Sequence, residues 1–136
     1  MTAVVRIRIM IGVAAGLALS VAAISASAQG AAKGDPVKGK QVFALCSGCH
    51  VLTGDSYGGP ALAGVVGRKA GGVAGFSYSD ALKASGIVWT DKTLDSFLAD
   101  PSKAVPGTAM FANVPDAQDR ADVIAYLKTV PATPTP

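Results

Sequence analysis

From Ile9 to Ile24 the chain is apolar at every position except Ser20, with no charge and no helical or strand period. Arg6 and Arg8 precede this run and Ala26-Ser27-Ala28 follows it. A basic start, an apolar middle and a small-residue end are the parts of an export signal, so residues 1–28 are expected to be removed. The run is short of the roughly 20 residues a spanning helix needs; an uncleaved N-terminal membrane anchor is the minor alternative. Residues 29–34 are small and polar, a flexible start. Beyond them the pattern becomes helical but broken. Asp35-Pro36 reads as a cap followed by proline at the first helical position, starting a helix that runs to Leu45. Gly and Pro fill Val51 to Arg68, which predicts loop. A short helix is expected from Ser79 to Ala84. Thr90 caps another, with Leu94, Phe97 and Leu98 as its apolar stripe and Pro101 as its end. Lys103 to Pro115 reads as loop. Asp116 caps the last helix, on which Ala117, Ala121, Ile124 and Leu127 recur at helical spacing. Residues 131–136 are expected to be a disordered tail.

No segment alternates as a strand, so the prediction is all-α: about four short helices joined by long loops, in one domain over 35–130. Long loops normally count against a compact domain. A buried prosthetic group removes the objection, because loops can pack on it, and it enlarges a modest core. The formal charge of +3 shrinks once Arg6 and Arg8 leave with the signal, since ten Lys and Arg then face nine Asp. No basic run exists, and nucleic-acid binding has no support.

The chemistry is concentrated in Cys46-Ser47-Gly48-Cys49-His50. The chain has two Cys and one His in all, too few for the usual four-ligand zinc site. A redox-active CxxC needs a βαβ surround that the Ala- and Gly-rich flanks do not offer. Two thiols with an imidazole directly after the second form the attachment signal of a c-type haem. Each thiol can add across one vinyl group, and the histidine then lies where it can ligate the iron. Attachment would consume both cysteines.

Further segments extend the pattern: Gly39-Lys40-Gln41-Val42-Phe43, Gly58-Gly59-Pro60 through Gly67-Arg68, Gly75-Phe76-Ser77-Tyr78-Ser79, Gly86-Ile87-Val88-Trp89, Val105-Pro106-Gly107-Thr108-Ala109-Met110 and Arg120 to Leu127. In order and spacing, Asp35 to about Thr129 resembles a class I c-type cytochrome of the mitochondrial type in its bacterial form. The resemblance implies one covalent haem c with thioethers from Cys46 and Cys49 and iron ligands His50 and Met110. Met110 is the only Met left after signal removal; a lone Met is more often a core gap-filler, and it is the Pro-Gly-Thr-x-Met loop and the resemblance that make it read as a ligand. The Pro60 carbonyl is implied to orient His50, with an ordinary turn proline as the alternative. Arg68, Tyr78 and Trp89 match donors to the haem propionates, though core packing alone would also account for Trp89. Gly39, Phe43 and Tyr126 match the crossing of the first and last helices.

Two positions depart from the family. Many relatives carry Tyr where Phe97 stands, and its hydroxyl bonds the ligating Met; here that donor is missing. Leu82 replaces a common polar residue. The lysines that steer mitochondrial relatives are also sparse, leaving Lys69, Lys83 and Lys103. The implied function is a single-electron carrier of the periplasm, a monomer, passing electrons from a quinol-oxidising complex or dehydrogenase to a terminal oxidase or reductase. The alternative is a peroxidase-like haem enzyme or ligand-binding sensor with a labile Met. It lacks a second His or any Glu to move protons.

Overall fold

A computed structural model describes residues 32–55 and 58–132. The expected signal, residues 1–28, and the tail beyond 132 lie outside them. Five α-helices are present among the described residues: α1 Pro36–Val42, α2 Asp80–Ala84, α3 Asp91–Ala99, α4 Pro101–Ala104 and α5 Ala117–Lys128. None is long and apolar enough to cross a membrane. The described residues contain no strand, only an isolated antiparallel bridge between Lys69 and Val88. The all-α expectation holds.

Each helix starts where a short polar side chain can satisfy N–H groups that have no partner within the helix. Asp35 Oδ1 accepts from Val37 N–H at 2.8 Å, ahead of Pro36. Ser79 caps α2 through Leu82 N–H at 3.3 Å. Thr90 and Thr93 bond each other's backbone N–H at the head of α3, at 3.2 and 2.8 Å. Asp116 accepts from Asp119 N–H at 2.9 Å to start α5.

Three details differ from the sequence expectation. The first helix is α-helical only to Val42 and tightens into a 3₁₀ turn over Phe43–Leu45. Pro101 ends α3 but also opens α4, because Asp100 accepts from Lys103 N–H at 3.0 Å and Pro101 sits at the first helical position. On α5 the buried set is Asp122, Val123, Ile124 and Leu127, whereas Ala117 is exposed.

Helix α1 crosses α5 at close range. A Cβ added to Gly39 would collide with the Asp122 carbonyl and stand 2.8 Å from Tyr126 Cβ. Beside this contact the Phe43 and Tyr126 rings pack with centroids 5.7 Å apart. Arg120 fastens α5 to the rest of the domain. Its Nε meets Asp95 of α3 at 2.7 Å, and Nη1 donates to the Val114 and Pro115 carbonyls at 3.0 and 2.8 Å. The core between α3 and α5 holds Leu94, Phe97, Leu98, Val123, Ile124 and Leu127.

Asp122 is a carboxylate within this crossing, 2 % exposed. Its Oδ1 accepts from Asp35 N–H at 2.7 Å and from Gln118 Nε2 at 2.8 Å. The Asp35 N–H holds its carboxyl below the ordinary range, with burial opposing and Gln118 and Lys38 adding to the lowering. A carboxyl with a depressed folded value stabilises the fold above its unfolded pKa of about 4 and loses that contribution as pH falls through the folded value. Asp122→Asn should therefore melt below wild type at pH 7, and the gap should narrow below about pH 4. Thermal unfolding at both pH values, followed by far-UV circular dichroism, checks this; an unchanged gap would remove the ionised carboxylate from the account.

Candidate functional site

The 3₁₀ turn at the end of α1 runs directly into a second tight turn. Cys46 and Ser47 N–H both donate to the Phe43 carbonyl, and Cys49 and His50 N–H both donate to Cys46, at 2.9 to 3.1 Å. These bonds gather Cys46, Cys49 and His50 on the wall of one cavity of ≈ 320 Å³. Cys46 is half-buried and Cys49 exposed. Burial pushes the Cys46 thiol up.

His50 is held on two sides by the loop that follows. Its Nδ1 lies 2.8 Å from the Pro60 carbonyl. A carbonyl only accepts, so the proton sits on Nδ1 and the Nε2 lone pair is left for a metal. Gly59 lies against the ring: a Cβ there would stand 2.7 Å from both ring nitrogens. The sequence named Pro60 but gave Gly59 no role of its own; only the contact with the ring reveals it.

Met110 lines the same cavity, half-buried, with its N–H donating to Thr108 Oγ1 at 3.3 Å. Phe97 and Trp89 are 5 % and 7 % exposed, with ring centroids 5.0 Å apart, and both line the cavity. The Tyr78 hydroxyl accepts from Val73 N–H at 3.3 Å, which leaves its own hydrogen to donate. Arg68 also bonds main chain. Its Nη1 donates to the Ala63 carbonyl at 3.0 Å and its Nη2 to Ala61 at 2.9 Å; each keeps a second hydrogen. Burial lowers its pKa, opposed by Tyr78, and the guanidinium stays charged at neutral pH.

The cavity thus brings together Cys46, Cys49, His50, Pro60, Arg68, Tyr78, Trp89 and Met110, which are spread over 65 residues of sequence. The residues fit a haem. The volume lies within the roughly 300–1,000 Å³ of small-molecule sites. Among the described residues Arg68 is the only formally charged side chain on a wall rich in Leu, Val and aromatic residues, which suits a flat apolar ring with few polar edges. A neutral imidazole and a thioether are ligands iron takes in cytochromes. Among the described residues no three His, Cys, Asp or Glu side chains group as a zinc site requires.

A small helical domain that closes loops over an apolar cavity and presents CxxCH on its wall is a c-type haem protein. Comparison with known proteins narrows the class. The Cytochrome c family model matches residues 36–131. Cytochrome c2 of Rhodomicrobium vannielii is 50% identical over 116 residues, covering 83% of this chain and 93% of that protein. Cytochrome c of Tetrahymena pyriformis is 53% identical over 100 residues, covering 72% and 91%. In structure, cytochrome cH from Methylobacterium extorquens superimposes with a TM-score of 0.68 at 49% identity, over 71% of this chain and 99% of that one. The chain belongs to the cytochrome c family. It carries haem c covalently and is an electron-transfer protein, not an enzyme.

Proposed function

We propose that Cys46 and Cys49 hold the haem through thioethers, that His50 and Met110 are its two iron ligands, and that the protein carries single electrons through the periplasm. Its donor is a quinol-oxidising complex or a dehydrogenase, and its acceptor a terminal oxidase or reductase. The observation that carries the reading is the shared cavity wall, with His50 already in the Nδ1–H tautomer against Pro60. Haem bound there supplies a one-electron iron couple. Pro60 and Gly59 fix the imidazole, so that ring orientation need not change as an electron comes or goes. The Met110 thioether and the apolar wall both favour ferrous iron, which raises the potential. Tyr78 and Trp89 offer an O–H and an indole N–H to the propionates, buried carboxylates that need donors.

The test is the absorption spectrum of the purified exported protein, oxidised and reduced, before and after Met110→Ala. Wild type should retain its haem through acid-acetone extraction and show a low-spin, Met-ligated ferric spectrum. The variant should keep the haem, turn high-spin, bind carbon monoxide when reduced, and lose on the order of 0.1 V of potential. A variant with the wild-type spectrum that excludes carbon monoxide would remove Met110 from the iron. An intact mass beginning at Gln29 in the periplasmic fraction checks export and cleavage.

A further inference from the structure

Residues 59–63 touch the proposed iron ligand at two points, so whatever fixes this segment fixes His50. From one side, Leu62 and Ala63 N–H donate to the Val51 and Leu52 carbonyls at 3.0 and 2.8 Å. From the other, the Ala61 and Ala63 carbonyls accept from the two Nη atoms of Arg68 at 2.9 and 3.0 Å. The two carbonyls flank Leu62, and the first belongs to the residue directly after Pro60. A guanidinium presents its donors in a rigid fork, so it can bridge two acceptors at set positions, which an ammonium on a flexible stem cannot do with the same geometry.

Arg68 is itself firmly based. Gly67 N–H donates to the Trp89 carbonyl at 2.7 Å, Trp89 N–H returns a bond to the Arg68 carbonyl at 2.9 Å, and Ala70 N–H reaches Ile87 at 2.8 Å. The partner segment is pinned to α3 by Thr93 Oγ1 on the Val88 carbonyl at 2.7 Å. A continuous run of hydrogen bonds therefore leads from α3 through Arg68 to the loop that grips His50.

We infer that Arg68 is a positioning residue for the His50 ligand, clamping the 61–63 carbonyls so that the Pro60 carbonyl stays on Nδ1–H. This rests on His50 ligating the iron. The bond to Pro60 increases the imidazole's electron donation, which favours ferric iron; slackening it raises the potential. An Arg68 that served only as a nearby cation would act in another way, since a positive charge favours ferrous iron by Coulomb attraction alone. Substituting lysine keeps the charge and breaks the fork, which separates the two roles.

The experiment compares holoprotein Arg68→Lys with wild type by proton nuclear magnetic resonance and by redox titration. The positioning role predicts that His50 Nδ1–H exchanges with solvent faster by about two- to tenfold, the loss of one hydrogen bond's worth of protection. It also predicts a higher potential. Ile124→Val, which thins the core at a 5 % exposed residue outside the cavity lining, serves as a destabilised control and should change neither reading by itself. A lysine variant that matches wild type in both overturns the inference, as does a control that shifts both equally. Failure of the underlying reading shows separately, in a wild-type spectrum without a low-spin His/Met signature.

Discussion

Gly39→Val should destabilise the domain severely, moving its denaturation midpoint far below that of wild type. The backbones of α1 and α5 meet at this position so closely that even the single carbon of alanine would occupy the place of the Asp122 carbonyl oxygen. That carbonyl belongs to a helix whose neighbours Val123 and Ile124 are buried, so it cannot retreat without opening the core. Relief by parting the helices would also break the bond from Asp35 to Asp122 and the Phe43–Tyr126 contact. Overpacking against side chains costs about 1–3 kcal/mol. Here the obstacle is main chain, so the cost should reach roughly 3 kcal/mol or more, a large share of the 5–15 kcal/mol that holds a domain together. Chemical denaturation of the holoprotein measures it. A midpoint within error of wild type would mean that the crossing is looser than its geometry states.

His50→Ala should produce no stable holoprotein. The imidazole is the only one in the chain, so no second histidine can replace it at the iron. Residues that merely orient a metal ligand cost 10–100-fold in affinity when removed. Loss of the ligand should lower haem-bearing protein in the exported fraction by more than about tenfold, read from haem absorbance against total chain by immunoblot. Pro60→Ala is the informative contrast. Its acceptor is a main-chain carbonyl, which alanine also supplies, so haem content should stay near wild type. Equal yields from wild type and His50→Ala would sink the axial assignment.

Much of this architecture was legible because capping is local chemistry. Asp35, Ser79, Thr90 and Asp116 each bond an N–H two or three residues on, and the sequence shows both partners side by side. The missed helix α4 is instructive for the same reason. Asp100-Pro101 repeats the Asp35-Pro36 pair that correctly marked the start of α1, yet after the stripe of α3 the proline reads as a stop; it is both. On α5 the buried face includes the carboxylate of Asp122, and no hydropathy pattern marks a charged residue as core. Its partner is the main-chain N–H of Asp35, 87 residues away, and main-chain donors leave no trace in sequence. The site divides in the same manner. CxxCH and the Pro-Gly-Thr-x-Met loop are readable as side-chain chemistry, but Gly59 against the imidazole and the Arg68 bonds to Ala61 and Ala63 involve backbone or an absent side chain.

The crossing of α1 and α5 sets the order in which the molecule can be assembled. Joining ends 87 residues apart costs roughly 4 kcal/mol in chain entropy before any contact compensates it. Helix α1 has seven residues, too few to persist in water unaided. On a chain emerging from its N-terminus, α1 thus has no α5 to rest on until Leu127 has been delivered. Throughout that interval Cys46 and Cys49 belong to an unfolded stretch whose thiols can be reached from every side. The docking that later fixes their positions is withheld by the place of the last helix, so the chain is open for modification first and folds around the product afterwards.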